Sequence, residues 1–157
     1  MIGEGDAVPA MTLPLSDGSN LNLAGPGTTV LYFYPKDDTS GCTKEAQDFT
    51  ELAPDFAKAG VRVVGVSRDA MKKHDKFIAK YELKVALASD EDGALSEAFG
   101  TWVEKSMYGR KYMGMERATL LIQAGKIVRA WRKVKVPGHA AEVLAAATDR
   151  LSDRLVQ

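Results

Sequence analysis

The chain of 157 residues has a length typical of one domain, predicted to span residues 1–157, and it can bury a core without disulfides or bound metal. Its 21 basic and 21 acidic side chains balance, which argues against nucleic acid or an anionic membrane as a partner. One cysteine excludes an internal disulfide, and neither a secretory signal nor about 18 consecutive apolar residues is present. These features predict a cytoplasmic protein.

The first 27 residues are rich in Gly, Pro, Ser and Asn, and they predict a small N-terminal hairpin. Its two short apolar pieces are Met11–Leu15 and Leu21–Leu23. Thr28–Tyr34 then forms a continuous run of apolar, β-branched and aromatic residues that Pro35 ends. Such a run is typical of a central strand that is covered on both faces.

The next segments alternate between helical and strand patterns. A helix follows Cys42, and Pro54 within it predicts either a kink or a second helix before Gly60. Val61–Ser67 is the next predicted strand, and a helix follows from about Asp69 to Tyr81. Because strands and helices alternate, we expect the two strands to pair in parallel through crossover connections.

The second half begins with a short strand at Val85–Ala88 and a short helix at Ala94–Phe99. Gly100–Met115 is predicted as a loop of about 16 residues, an unusual length for a connection within a compact domain. Its methionines and tyrosines, between residues 107 and 115, are open to three interpretations: core packing, a wall of a pocket, or a contact surface.

Two further strands, Ala118–Gln123 and Lys126–Trp131, are separated by two residues and predict an antiparallel hairpin. A last helix is predicted from about Gly138 to Leu151. The whole pattern predicts an α/β fold of the thioredoxin-like kind: a mixed central β-sheet with helices on both faces and an N-terminal hairpin extension.

Cys42 lies where the first central strand gives way to a helix. The unpaired N–H groups of a first helical turn favour a thiolate, so Cys42 is a candidate nucleophile. Glu45 lies three residues later on the same helical face, and its charge would oppose the thiolate. We therefore expect an arginine or backbone donors beside Glu45. The competing interpretation is that Cys42 is an inert, buried packing residue.

The motif Pro35-x-x-x-Thr39-x-x-Cys42 resembles the active-site signature of the peroxiredoxins. The wider stretch from Tyr32 to Glu45 resembles the branch of bacterioferritin comigratory protein, or Q-type peroxiredoxin. The resemblance continues through Gly65-Val66-Ser67, Trp102 to Gly114, Arg117-x-Thr119-x-Leu121-Ile122 and Val134-Lys135-Val136-x-Gly138-His139. It therefore covers nearly the whole chain.

The resemblance implies a thiol peroxidase that reduces hydrogen peroxide and organic hydroperoxides to water and alcohols. Cys42 would be the peroxidatic thiolate, which becomes a sulfenic acid. Thr39 would orient the peroxide and bond the thiolate, and Pro35 would shield the pocket from water. Arg117 and the helix N–H groups near Gly41 and Cys42 would stabilise the thiolate and the leaving oxygen. No cofactor and no metal are implied, and His74 and His139 lack the spaced ligand set of a zinc site.

The chain departs from this branch in having no resolving cysteine. The positions at which relatives carry one correspond to Gln47, Ile78 and Ser96, and Ser40 stands where the branch usually has proline. The sulfenic acid would therefore be reduced by an external thiol, with thioredoxin, glutaredoxin and glutathione as the candidate donors. A monomer is expected, although a lone cysteine could also crosslink two chains. Two alternatives remain open: a non-catalytic redox sensor or binding module, and a glutathione-linked thiol transferase.

Overall fold

The computed structural model describes residues 2–156 and the side chains of residues 2–149. The strands are β1 (Thr12–Pro14), β2 (Asn20–Asn22), β3 (Thr28–Phe33), β4 (Val61–Ser67), β5 (Ala86–Ser89), β6 (Trp102–Met107), β7 (Arg110–Met115), β8 (Ala118–Gln123) and β9 (Lys126–Trp131). The helices are α1 (Ser40–Glu51), α2 (Ala53–Lys58), α3 (Met71–Tyr81), α4 (Ala94–Phe99) and α5 (His139–Val156).

The central sheet has five strands in the order β5-β4-β3-β8-β9. Strand β3 lies in the middle, parallel to β4 and antiparallel to β8. The predicted mixed sheet and its terminal hairpin are therefore confirmed. Because neighbouring strands fix one another through their ladders, the residues that follow β3 and those that precede β8 lie at the same end of the sheet.

Each face of the sheet has its own core, since successive side chains of a strand point to opposite faces. On one face, Leu31 and Phe33 pack with residues of β1, β2 and α4. On the other, Val30, Tyr32 and Cys42 pack with residues of α1, α2, α3 and α5. Helices on both faces, as predicted, bury β3 almost completely and hold its C-terminal end in place.

The predicted break at Pro54 is the start of a second helix. Helix α1 ends at Glu51, and Pro54 lies in the first turn of α2. The N–H groups of a first turn have no partner within the helix, so the missing N–H of proline costs no hydrogen bond there. At the other end of the chain, α5 continues beyond the predicted end at Leu151, whose side chain lies outside the described residues. No helix among residues 2–156 is long and apolar enough to span a membrane.

The prediction of a loop at Gly100–Met115 is wrong. Strands β6 and β7 form a separate two-stranded antiparallel hairpin, with Tyr108 and Gly109 at its tip in left-handed backbone conformations (φ 52° and 77°). Positive φ at both central residues is the requirement of a type I′ hairpin turn. The interpretation as core packing holds for Met115 but not for the other apolar side chains, which are exposed: Met107, Tyr108, Tyr112 and Met113.

Gly65 on β4 provides a test of the packing beneath Cys42. An added Cβ would lie 2.6 Å from Cζ of Tyr32 and 2.8 Å from Cδ2 of Leu87. We expect Gly65→Ala to lower the free energy of unfolding by about 1–3 kcal/mol through overpacking, measured by urea denaturation. Gly3→Ala is the control, because nothing lies within 4 Å of its added methyl group and the unfolding midpoint stays unchanged.

Candidate active site

The candidate nucleophile Cys42 lies in the first turn of α1, next to the C-terminal end of β3. Thr39 occupies the N-cap position but makes no capping hydrogen bond with its side chain, and the first turn contains no acidic residue. The first bond of the helix runs from the N–H of Thr43 to the carbonyl of Thr39 at 2.8 Å. The N–H groups that precede Thr43 in the helix have no carbonyl partner within the helix. They can therefore donate to an anion, as they do at other helix N-termini that bind negative charge.

Arg117 contacts the thiol directly, with Nη2 donating to Sγ of Cys42 at 3.3 Å. Its Nη1 donates to Oε1 of Glu45 at 2.7 Å, so Arg117 is the arginine expected beside Glu45. The antiparallel pairing of Ala118 with Phe33 brings Arg117 to the end of the sheet where α1 begins. Cys42 is only 2% exposed. Burial alone is consistent with an inert packing cysteine. The hydrogen bond from the Arg117 guanidinium favours the other interpretation, in which Cys42 is a nucleophile.

The guanidinium is shared between two buried acceptors. Burial raises the pKa of Glu45 to about 7, against the opposing charge and hydrogen bond of Arg117. Burial also disfavours the charged form of Arg117, but Glu45 and Cys42 outweigh it and raise the pKa of Arg117 above its ordinary value. The site therefore keeps its cation firmly charged while its carboxylate titrates near neutral pH.

Two buried oxygens behind Cys42 have no hydrogen-bond partner among the described residues: Oε2 of Glu45 and the hydroxyl of Tyr32. The Tyr32 ring stacks on Phe49 of α1 with centroids 4.8 Å apart. Burial, followed by the charges of Glu45 and Cys42, raises the pKa of Tyr32 well above its ordinary value. The inner wall of the site is thus aromatic and poorly hydrated, which strengthens the electrostatic interactions of Arg117.

The other predicted site residues lie on the loop between β3 and α1 or in the first helical turn. The Thr39 hydroxyl donates to the carbonyl of Lys36 at 2.8 Å, so its single proton is not directed at the sulfur. Pro35 is exposed on the loop. Gly41 lies against Arg117, and an added Cβ would be 3.2 Å from Nη2. A methyl group at this position would therefore crowd the guanidinium, which would have to shift by a few tenths of an ångström.

A buried polar network anchors the loop that carries Pro35 and Thr39. Oδ2 of Asp37 lies 2.6 Å from Nδ1 of His74, and Oδ1 accepts a hydrogen bond from the Tyr34 hydroxyl at 2.5 Å. The other ring nitrogen of His74, Nε2, donates to the Ala88 carbonyl at 2.9 Å, since a carbonyl can only accept. His74 and Asp37 are both buried, so one network joins the loop to α3 and β5.

Two further contacts fasten the same loop. The Asp37 N–H donates to Oδ2 of Asp69 at 2.8 Å. Asp38, in a left-handed conformation, accepts hydrogen bonds from Lys80 at 2.7 Å and Tyr81 at 2.6 Å. This anchoring role of His74 is not predicted from the sequence, where the residue is weighed only as a metal ligand. The available signal was its position on the apolar face of α3, at helical spacing with Met71 and Phe77.

Comparison with known proteins decides the family. Residues 4–131 match the AhpC/TSA family. The chain belongs to this family of peroxiredoxins. It is 50% identical over 146 residues to peroxiredoxin Bcp of Xanthomonas campestris, covering 88% of this chain and 91% of the relative. Peroxiredoxin Bcp of Escherichia coli is 42% identical over 143 residues, covering 89% and 92%.

Solved peroxiredoxin structures have the same fold. X. campestris peroxiredoxin Q is 46% identical, covers 94% of this chain and 98% of its own, and has a TM-score of 0.86. A cysteine-to-serine mutant of PrxQ from Xylella fastidiosa is 41% identical, covers 96% and 98%, and has a TM-score of 0.89. The thioredoxin-like fold and the resemblance to the Bcp or Q-type branch are therefore confirmed.

The pH dependence of stability tests the environment of Glu45. Its folded-state pKa, about 7, lies above the ordinary value of 4.5, so the folded peroxiredoxin retains a proton that the unfolded chain releases. Stability should therefore fall as pH rises from about 4.5 to about 7, by on the order of 3 kcal/mol from this group. Urea unfolding across that range should show a flatter profile for Glu45→Gln, whereas Glu51→Gln, exposed on the same helix, should match the wild type.

Gly41→Ala tests the approach of Arg117 to the sulfur. The new methyl group would meet Nη2 at 3.2 Å and displace the guanidinium, although the helical backbone accepts alanine without strain. We expect Cys42 oxidation by hydrogen peroxide to slow about tenfold, because small displacements of positioning groups are costly. Stopped-flow kinetics measures the rate, and urea denaturation should show stability that is equal or higher. A variant that reacts at the wild-type rate would contradict the tight packing of Arg117 on Gly41.

Proposed function

We propose that this peroxiredoxin reduces hydrogen peroxide and organic hydroperoxides to water and alcohols through a sulfenic acid on Cys42, which an external thiol then reduces. The observation that carries the proposal is the contact of Arg117 with Sγ of Cys42 at 3.3 Å, beside an uncapped helix N-terminus. A cation and free backbone donors at one sulfur favour a thiolate and offer bonds to the oxygens of a peroxide.

In the first step, the Cys42 thiolate attacks the nearer peroxide oxygen. An S–O bond forms, the O–O bond breaks, and the leaving oxygen takes up a proton to give water or an alcohol. Arg117 and the N–H groups of Gly41 and Cys42 stabilise the developing negative charge. Thr39 orients the peroxide by accepting a hydrogen bond from its O–H group, since the Thr39 hydroxyl donates its own proton to the Lys36 carbonyl. Pro35 shields the sulfur from water, and Glu45 holds Arg117 in place.

The second step requires another molecule, because Cys42 is the one cysteine in the sequence. Gln47, Ile78 and Ser96 offer no thiol. Solved structures of X. campestris peroxiredoxin Q, by contrast, include cysteine-to-serine mutants at two different positions. An incoming thiolate forms a mixed disulfide with Cys42 and releases the sulfenic oxygen as water. A second thiol then frees Cys42 and leaves as a disulfide; thioredoxin, glutaredoxin and glutathione are the candidate donors.

Organic hydroperoxides are included because a related structure supports them. The bacterioferritin comigratory protein of X. campestris, 47% identical, is described as having alkyl peroxide reduction activity. We place the enzyme in the cytoplasm, because an unpaired thiol suits a reducing compartment. We also propose that it is a single-domain monomer. Mass spectrometry after peroxide treatment distinguishes a sulfenic or sulfinic monomer from a dimer joined through Cys42.

The direct test is stopped-flow mixing of the reduced protein with hydrogen peroxide or tert-butyl hydroperoxide. Oxidation far faster than that of free cysteine supports the peroxidase. A rate no faster than free cysteine would overturn the proposal and leave the redox sensor or the thiol transferase. Turnover with glutathione-linked disulfides in place of peroxide would identify the transferase.

Arg117→Ala should slow the oxidation of Cys42 by about 10²–10³-fold, the usual effect of removing one donor to a developing anion. The matched control is Arg129→Ala on β9, whose side chain is 42% exposed and lies outside the site. The control should react at the wild-type rate in the same stopped-flow assay. An unchanged rate in Arg117→Ala would refute the role given to this residue.

A further inference from the structure

Arg117 lies outside every strand, at the point where the chain passes from one sheet to another. Strand β7 belongs to the separate two-stranded hairpin and ends at Met115, whereas β8 belongs to the central sheet and begins at Ala118. We call the two residues between them, Glu116 and Arg117, the junction. Because an arginine side chain has much rotamer freedom, its guanidinium stays in one place only if the backbone that carries it is held firmly.

The segment that follows β9 holds the junction through both its side chain and its backbone. Arg132 donates to the two carboxylate oxygens of Glu116, from Nε at 2.6 Å and from Nη2 at 3.2 Å. The N–H of Lys133 donates to the same carboxylate at 3.1 Å. The N–H of Val134 donates to the carbonyl of Arg117 at 2.9 Å. Three consecutive residues therefore bind the junction, and we call them the clamp segment.

The ion pair within this arrangement also ties the junction to the end of α4. Nη2 of Arg132 donates to the carbonyl of Gly100 at 2.9 Å, and the N–H of Glu116 donates to the carbonyl of Thr101 at 2.7 Å. The Arg132 and Glu116 side chains are only 23% and 12% exposed, so salt screens their attraction weakly. Burial raises the pKa of Glu116, but hydrogen bonds from Arg132 and Lys133 outweigh it and hold that pKa below its ordinary value. The pair is therefore fully charged at neutral pH.

The backbone of the clamp segment turns in a way that a continued strand could not. Lys133 has a left-handed conformation (φ 48°), which residues other than glycine, asparagine and aspartate seldom adopt. Along a strand, successive N–H groups point to opposite sides, whereas those beside a left-handed residue can converge. Here the N–H of Lys133 reaches Glu116 and the N–H of Val134 reaches Arg117. The turn at Lys133 therefore directs both N–H groups at the junction.

We infer that Arg132 and Glu116 are positioning residues for the reaction of Cys42 with peroxide. Among the residues that the structure describes, neither side chain bonds to Cys42 or Glu45, so both act through Arg117. By fixing the junction they keep Nη2 of Arg117 at 3.3 Å from Sγ while Nη1 binds Glu45. The inference rests on the proposed function, in which Arg117 stabilises the charge that develops as the O–O bond breaks.

The first test is a double-mutant cycle in the stopped-flow assay of Cys42 oxidation by hydrogen peroxide. E116Q/R132Q replaces the ion pair by two neutral amides at constant net charge, so the charge of the whole protein does not change. We expect this variant to react about tenfold slower than the wild type, because small displacements of a positioning group are costly. In the R117A background the same two substitutions should change the rate by less than about twofold, since no guanidinium is left to position.

The second readout is the pH dependence of stability, which reports where the guanidinium lies. Burial raises the pKa of Glu45 to about 7 against the charge of Arg117, so a displaced guanidinium lets that pKa rise further. The fall of the unfolding free energy with pH should therefore continue to higher pH in E116Q/R132Q. The pKa of Glu116 lies below its ordinary value of 4.5, so the loss of Glu116 does not produce this change. A purely structural ion pair would lower stability equally throughout the range.

R62Q is the matched control, because Arg62 is also half-buried and bonded. It donates to the hydroxyl of Ser19 and, at 3.3 Å, to the carbonyl of Asn20. Arg62 pairs with Thr29 near the start of β3, at the end of the sheet opposite to Cys42. R62Q should therefore oxidise at the wild-type rate and keep the wild-type pH profile, whatever its effect on the midpoint of urea unfolding.

The outcomes separate this inference from the proposed function. If the wild type reacts no faster than free cysteine, or R117A reacts as fast as the wild type, the proposed function or its arginine fails, and the inference fails with it. If R117A is slow but E116Q/R132Q matches the wild type, or slows R117A by the same factor, only the inference fails.

A milder variant keeps the test valid if E116Q/R132Q does not fold. R132K retains a cation beside Glu116 but lacks the planar fork that reaches two carboxylate oxygens and the Gly100 carbonyl. We expect about threefold slower oxidation in the wild-type background and no further loss in the R117A background. A wild-type rate in folded R132K would overturn the inference.

Discussion

A single guanidinium divided between a carboxylate and a thiol is the interaction on which the rest of the site depends. Arg117 lies 2.7 Å from Glu45 and 3.3 Å from Cys42, and all three groups are wholly or mostly buried. Each partner alone would be costly in this environment: the carboxylate because it is desolvated, the arginine because its charge needs an acceptor. Together they hold a cation against the sulfur, with Nη2 of Arg117 donating to Sγ of Cys42.

The fold brings this cation to the sulfur through long-range pairing and preserves the site at some cost in stability. Antiparallel pairing of β8 with β3 places Arg117 at the end of the sheet where α1 begins. There it contacts Cys42, although the two residues are 75 positions apart in the chain. The helix forgoes a side-chain cap at Thr39, a contact usually worth about 1 kcal/mol, and its first N–H groups remain available. The network of Asp37 and His74 compensates by fixing the loop from α3 and β5.

Much of this could be predicted from local pattern. Uninterrupted apolar runs identified β3, β4 and the terminal hairpin, and the spacing of Cys42 and Glu45 predicted an arginine or backbone donors beside the carboxylate. The choice of Arg117 came from the resemblance, because contacts between distant residues leave no local signal. The β6–β7 hairpin was missed because its apolar side chains do not alternate and its turn uses Tyr108 instead of asparagine. The network around His74 was missed because a buried histidine in a helix resembles any other inward-facing residue until its partners are known.

The raised pKa of Glu45 makes the charge balance of the site sensitive to pH near neutrality. With a pKa of about 7, this carboxylate takes up a proton just as the surroundings become acidic. Protonation removes the competitor for Arg117, so the full charge of the guanidinium then faces the sulfur at the pH where a thiolate is harder to maintain. At alkaline pH, where a thiolate forms readily, Glu45 is ionised and the charge of Arg117 is again shared between Glu45 and the sulfur. The protonation state of one buried carboxyl group thus sets how the charge of Arg117 is divided between Glu45 and the sulfur.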